Sequence, residues 1–503
     1  MSKKFGEGAN RMNRKWSRAK TILTCMFLLL AILLCDARTA SALPSGKVVA
    51  LPMFARKYGL PCSACHTAWP ELNNFGQVFR DNGYQLMNDR DSPIWQNPSY
   101  FPISFRITPN WHRESTNNQA VDSVPGNGDA AGIGTVTQAG FDLSGMDLWS
   151  GGTLYKNISF ILLPSSDSTA VWHFESAFIR FDNLHGSPWF NIKFGRFELD
   201  NLISEKRMLF LSNNGGFYQI YHFDNPGDIN NFGYGDNQIG VELAGHSANS
   251  YTRYSVSFLS SNEGGVGFTN DVVPGGAPAG RSYDVNLAFS QAFNAPGPAG
   301  ESGFGLERVG AFAFIGQRPT YYQTAGDGSG PASAIPLVGL GNKPFYRIGV
   351  AGDLSYKNLE LLPLFMYGHD NPYLGIPGLP STAALPLGAQ APTFYGGFLE
   401  AHYYFNPQNV ALARFEQINV GQQAFSNIGT GGTSSNGNIT GYTFGYRWYP
   451  IMFSRAGVAL DWEYSRIRTI GQEPLSGDGS GVAASPTAAT WSSSIFFGID
   501  FDF

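Results

Sequence analysis

Cysteine is scarce: 503 residues hold four, and two of these, Cys25 and Cys35, fall in an N-terminal stretch that reads as a cleavable leader. The remaining pair, Cys62 and Cys65, is too few for a disulfide framework or for a zinc site built from four thiolates. Charge is sparse too, with Asp, Glu, Lys and Arg making up 14% of the chain. Basic residues are not in excess, so nothing supports nucleic-acid binding. Removing a leader with eight basic and two acidic residues leaves a net charge of about −11, with His neutral. No apolar run reaches the roughly 20 residues of a membrane-crossing helix; the run from Ile22 to Leu34 is shorter. The eight histidines are scattered, and no Ser/His/Asp or paired-carboxylate arrangement can be nominated for acid–base or nucleophilic catalysis.

The leader reads as a secretory signal peptide over 1–42. A basic stretch (Lys3, Lys4, Arg11, Arg14, Lys15, Arg18, Lys20) precedes the apolar run, and Ala40-Ser41-Ala42 offers a small-x-small cleavage site. Leu34 before Cys35 argues against a lipoprotein, where a small residue is expected.

What the chain does contain is Cys62-Ser63-Ala64-Cys65-His66. Two thiols at this spacing add across the two vinyl groups of a haem, and the adjoining imidazole is placed to ligate the iron. The pattern is a c-type haem attachment site, so the expected cofactor is one covalent haem c on Cys62 and Cys65 with His66 as proximal ligand.

After residue 100 the periodicity becomes two. Tyr283, Val285, Leu287 and Phe289 share one phase, with Asp284, Asn286, Ala288 and Ser290 on the other; Ile495, Phe497, Ile499, Phe501 and Phe503 alternate with Asp500 and Asp502. Sixteen strands are expected to start near Phe101, Gln138, Ile158, Val171, Trp189, Gln238, Tyr251, Tyr283, Arg308, Tyr346, Leu359, Phe394, Val410, Ile439, Ala456 and Trp491. Short connections are expected at Gly151-Gly152, Asn183-Leu184, His246-Ser247, Lys357-Asn358, Asn406-Pro407 and Pro450-Ile451. Long ones rich in Gly, Ser, Pro and Asn are expected over 111–137, 197–237, 261–281, 318–345, 369–392, 421–437 and 469–490, with the acidic residues of 197–237 and 261–281 expected as solvated loop charges. Tight turns at one end and long loops at the other are the pattern of outer-membrane barrels. Aromatic residues near strand ends (Trp149, Trp172, Trp189, Tyr403, Tyr404, Trp448, Tyr449, Trp491) suit interfacial girdles, and the terminal Phe503 suits the address read by outer-membrane assembly machinery. The expected fold is mainly β: a sixteen-stranded transmembrane antiparallel barrel over 101–503 behind a small helical haem c segment over 43–100.

Within that segment, Trp69 to Gly83 reads as one helix with Pro70 near its start and Leu72, Phe75, Val78 and Phe79 on one face. The segment has too few apolar residues for a core of its own, so this face is expected to pack on the haem edge. Met87 is the candidate distal iron ligand, with Met53 and His112 as competitors.

Phe54-Ala55-Arg56-Lys57-Tyr58-Gly59 ahead of the haem motif, then Trp69-Pro70-Glu71-Leu72-Asn73, Phe75-Gly76, Phe79-Arg80 and Gly83-Tyr84, resemble the outer-membrane monohaem cytochrome–porin fusions of iron-oxidising bacteria. The resemblance covers about residues 50–90 in motif and the remainder in architecture. It implies one N-terminal haem fused to a sixteen-stranded porin in the bacterial outer membrane. It also implies extracellular Fe(II) as electron source and a periplasmic cytochrome or copper protein as acceptor. The apolar band of such a barrel is about 25 Å tall, more than one haem spans, so residues 43–100 are expected to plug the lumen. Two alternatives stay open: the same conduit running outward to an external acceptor, and a porin whose haem segment is structural. Porin-like barrels often trimerise, but no interface signal is visible.

Overall fold

The computed structural model describes residues 53–95, 102–121, 132–166, 171–204, 207–212, 237–260, 272–273, 277–278, 283–293, 307–319, 342–369, 393–420, 439–452, 457–470 and 489–502. The expected signal peptide over 1–42 and Phe503 lie outside them. Sixteen antiparallel strands close into one barrel. They are β1 (Ile103–Val121), β2 (Gly132–Tyr155), β3 (Ile158–Ser166), β4 (His173–Phe181), β5 (Asn191–Glu198), β6 (Asn237–His246), β7 (Thr252–Ser260) and β8 (Tyr283–Phe293). The series continues with β9 (Glu307–Pro319), β10 (Asn342–Tyr356), β11 (Leu359–His369), β12 (Thr393–Asn406), β13 (Asn409–Val420), β14 (Ile439–Met452), β15 (Gly457–Ile470) and β16 (Ala489–Asp502). Each pairs with its chain neighbours, and β1 closes the wall on β16 with Arg106 opposite Asp502 and Trp111 opposite Phe497. A two-residue pair, Val272–Val273 with Ala277–Pro278, stands outside this sheet.

The period-two pattern determines which way the wall faces. On β8, Asp284, Asn286 and Ser290 are buried while Leu287, Phe289 and Phe293 are exposed; on β16, Asp500 is buried while Ile495, Phe497 and Ile499 are exposed. An apolar exterior with polar groups turned inward is the arrangement lipid demands of a closed sheet. No helix among the described residues is long and apolar enough to cross a membrane; the chain crosses with strands. The architecture is that of a bacterial outer-membrane β-barrel.

Several boundaries differ from the sequence reading. Gly151 and Gly152 lie inside β2, and the turn falls at Lys156-Asn157, between paired Tyr155 and Ile158. Gly151 is there for closeness: a Cβ would meet Ile161 Cδ1 at 2.4 Å and Met53 Cε at 3.1 Å. Much of 111–137 is strand, since β1 runs to Val121 and β2 starts at Gly132, and Pro450-Ile451 lies within β14. Tyr404 and Tyr449 point inward and are buried, whereas Tyr403 faces out. Strand alternation puts adjacent residues on opposite faces, so a girdle cannot use both members of a Tyr-Tyr pair.

The lumen is filled. After β5 the chain folds inward, and Leu199, Ile203, Met208, Leu209 and Phe210 are buried. Leu199, Ile203 and Met208 join Phe197, Phe314, Phe345, Leu364, Met366 and Phe394 in one apolar cluster. Glu198 and Asp200, expected as solvated loop charges, are enclosed instead. Asp200 pairs with Arg253 (2.8 Å) and Glu198 faces Arg80 and Arg207. Buried charges need such partners. The 261–281 acids lie outside the described residues.

Residues from Ala50 onward form one compact unit. Helices α1 (Met53–Tyr58) and α2 (Asn74–Asp81) pack through Phe54, Tyr58, Phe79 and Tyr84, with Phe54 stacked on Tyr84 at 5.0 Å. They are tied to inward-facing wall groups. Lys57 Nζ donates to Thr153 Oγ1 (3.0 Å), Arg180 to the Arg80 and Asp81 carbonyls, and Tyr449 OH to the Trp69 carbonyl (2.7 Å).

Candidate functional site

Helix α2 is shorter than expected. Asn73 caps it, its Oδ1 accepting from Gly76 N at 2.9 Å, which satisfies one of the first-turn amides. Residues 69–73 form instead a tight return to the cysteine motif, with His66 and Leu72 bridged antiparallel. The same Asn73 side chain donates to the Ser63 and Ala64 carbonyls, and its backbone amide donates to the Cys65 carbonyl (2.9 Å). A Cβ on Gly76 would lie 2.2 Å from Cys65 O, so only glycine lets the helix come this close to the motif.

Cys62–Ala64 forms a 3-10 turn, and Cys62, Cys65 and His66 line one cavity of about 310 Å³. Its apolar walls come from Met53, Phe54, Leu60, Leu72, Phe79, Ile161 and Phe178; Arg106, Lys193 and Arg207 stand on the polar side. Burial pushes the Cys62 thiol up, and pushes Cys65 up to about 11 with Cys62 adding to it. These are protonated, packed thiols. Burial also lowers the His66 pKa, keeping the imidazole neutral. His66 Nδ1 donates to the Pro70 and Glu71 carbonyls, both at 3.1 Å, which leaves Nε2 as the ring nitrogen that could ligate a metal.

The expected distal candidates separate. Met53 is buried and lines the cavity. Met87 does not: it is 44% exposed, its sulfur 3.9 Å from Asn183 Nδ2. His112 sits on β1 with Nδ1 3.0 Å from Asn110 Oδ1, also away from the cavity lining. Of the predicted helix face, Leu72 and Phe79 reach the cavity and Phe75 is exposed.

Sequence reasoning passed over His246, at the end of β6. It is buried and lines the same cavity; Nδ1 donates to the Ser247 carbonyl (2.9 Å), and Nε2 has no hydrogen-bond partner. The carbonyl fixes the tautomer, so a lone pair is left on Nε2 in a buried place, an arrangement that proteins rarely leave unused. Nothing local marks it, because 180 residues separate it from His66.

The residues fit a haem c. Two thiols, a backbone-oriented imidazole, a second buried imidazole nitrogen without a partner and apolar walls share one cavity. Its volume is within the range of cofactor sites.

Fold and lumen together define a porin-like outer-membrane barrel with an occupied interior. Solved structures of that architecture include an anion-selective porin from Comamonas acidovorans (9% identity, 79% of this chain and 99% of that one, TM-score 0.47). Others are the channel DcaP of Acinetobacter baumannii (12%, 79% and 96%, TM-score 0.43) and OprB of Pseudomonas putida (11%, 80% and 94%, TM-score 0.42). At these identities nothing of ligand or partner passes from them to this chain. No protein-family model and no curated protein matches the sequence.

Proposed function

We propose that this protein is an outer-membrane electron-transfer cytochrome. It holds one haem c on Cys62 and Cys65 inside its barrel and passes electrons from an extracellular reductant, Fe(II) foremost, to periplasmic carriers. The carrying observation is that the Cys-x-x-Cys-His motif lines a cavity with His246 Nε2, rather than lying on a surface. When bound, haem c supplies a one-electron Fe(III)/Fe(II) couple. His66, oriented by the Pro70 and Glu71 carbonyls, would hold the iron through Nε2, and His246, oriented by the Ser247 carbonyl, would offer it a second imidazole nitrogen. The apolar walls would exclude water, and Arg106, Lys193 and Arg207, each paired with a wall or inner carboxylate, would keep positive charge on the polar side where propionates would lie.

The test is stopped-flow absorbance of the oxidised protein mixed with Fe(II) over a pH series. Rapid reduction is expected; no reduction by Fe(II) together with facile reduction by a low-potential donor would favour the outward conduit. Bis-histidine ligation is checked separately. His246→Ala is expected to convert a low-spin ferric spectrum to high-spin, and Met87→Ala to leave it unchanged. An unaltered spectrum in His246→Ala would remove that residue.

The sixteen-stranded wall itself favours a second reading, a solute-conducting porin. Against it, wall residues that would line a pore, such as Glu400, His402 and Arg447, are 0% exposed. Liposome conductance on the porin scale, unaffected by haem loss, would select this reading.

A further inference from the structure

Away from the haem cavity, three ligating side chains converge on the inner wall: Glu71 of the N-terminal segment, Glu360 on β11 and His402 on β12. One ligand atom from each lies within 4.8 Å of the others. Glu360 and His402 are direct cross-strand partners, and alternation turns both inward. His402 Nδ1 is 2.9 Å from Glu360 Oε2 and 3.5 Å from Glu71 Oε2, and the Tyr404 hydroxyl lies 2.8 Å from the Glu360 oxygen and 2.6 Å from the Glu71 oxygen. His402 is wholly buried.

Two further observations point to a cation. His402 Nε2 is 2.7 Å from Glu400 Oε1, the carboxylate–imidazole support that metal-ligating histidines use to fix their ring. Glu400 is itself anchored by Arg414 at 3.4 Å. Glu71 and Glu360 also border a small cavity of about 80 Å³ with Asp353, whose buried Oδ1 has no hydrogen-bond partner. Arg308, cross-strand from Asp353, donates instead to Ser250 O, Tyr251 O and Ser290 Oγ. Three carboxylates, those of Glu71, Glu360 and Glu400, thus meet around one imidazole.

We propose that Glu71, Glu360 and His402 form a binding site for a divalent first-row metal cation, for which two carboxylates and an imidazole are a suitable donor set. Resting on the electron-transfer reading above, the site seats the Fe(II) donor beside its acceptor. Glu71 contributes its carboxylate to the cation and its backbone carbonyl to His66 Nδ1. Bound Fe(II) becoming Fe(III) releases one electron, which reduces the ferric haem to ferrous; no atom is transferred.

The experiment is calorimetric titration of the detergent-solubilised, haem-loaded full chain with Zn(II), which carries no electron and so reports the site independently of haem reduction. One Zn(II) per chain is expected. Glu71→Gln and His402→Gln are each expected to weaken it about tenfold or more, while the exposed Asp142→Asn leaves it unchanged. Glu71→Gln retains an acceptor for Tyr404 and lies outside the wall, so it remains informative if His402→Gln fails to assemble. Absence of stoichiometric binding by the wild type, or equal affinity in Glu71→Gln, overturns the site. In stopped flow, Glu71→Gln is expected to slow reduction by Fe(II) about tenfold or more and leave dithionite reduction unchanged. Intact Zn(II) binding with no reduction by Fe(II) would sink the inward, Fe(II)-oxidising reading and spare the site.

Discussion

Cys62→Ser with Cys65→Ser is expected to take covalent haem from one per chain to none. Both sulfurs line the cavity beside His66, and a hydroxyl does not form the thioether. Among the described residues no other cysteine is present to substitute. The readout is haem-linked peroxidase staining after denaturing electrophoresis, with the pyridine haemochrome spectrum counting the attached vinyl groups. Each single variant should retain one thioether and shift the haemochrome band toward that of one free vinyl. The barrel itself should still assemble, because its wall is held by strand-to-strand ladders from Ile103 to Asp502. Haem that survives denaturation in the double variant would contradict attachment at this motif.

Arg253→Ala should produce the largest loss of stability. The guanidinium reaches Asp81 of α2 through Nε at 2.8 Å and Asp200 of the inward-folded stretch through Nη2 at 2.8 and 3.0 Å. One wall residue therefore holds both inner segments. Removing it leaves two buried carboxylates without their main partner, a change that costs about 3–5 kcal/mol. Arg253→Lys should recover only part, since an ammonium lacks the planar fork that serves both acids. Limited proteolysis of residues 53–95 in the folded barrel reads the loss directly. Acid should reproduce it. Burial raises the pKa of both carboxyls, but Arg253 outweighs burial and holds Asp81 and Asp200 below the ordinary range. Carboxyls with depressed folded values stabilise above the unfolded pKa, about 3.9, and lose that contribution as pH falls through the folded values. The wild-type segment should stay protected at pH 4 and become cleavable only in stronger acid; Arg253→Ala should be cleavable already at neutral pH. Equal protection of the two proteins would show that Arg253 is not the clamp.

The wall was legible because alternation is local. Tyr283 and Ile439 begin strands where expected, and Leu359 follows the expected Lys357-Asn358 turn. That Cys62, Cys65 and His66 would face one cavity was legible for the same reason, five contiguous residues being enough to bring them together. Helix α2 was over-extended because Leu72 has helical spacing with Phe75 and Phe79, yet Asn73 spends its side chain on capping and on the Ser63 and Ala64 carbonyls. What the sequence did not reveal is what meets inside. Glu71 and Tyr404 are 333 positions apart, and Leu211 N and Glu463 are 252 apart. Glu400, His402 and Tyr404 do recur at every second position, a visible sign of one polar face, but only closure of the barrel brings Glu71 to it. His246 and the burial of Leu199, Ile203, Met208, Leu209 and Phe210 were hidden likewise, since no local pattern separates a loop that turns inward from one that leaves the membrane.

Asp500, on the last strand, is gripped by Arg106 from the first strand and by Arg447 from β14. Both guanidiniums also lie over the Trp69 ring, at 5.3 and 5.8 Å. The seam where the wall meets itself is therefore built partly from the segment it encloses. Zipping β16 onto β1 and seating the N-terminal segment become a single cooperative event, so that a barrel which has swallowed nothing closes on a weaker joint than one that is loaded.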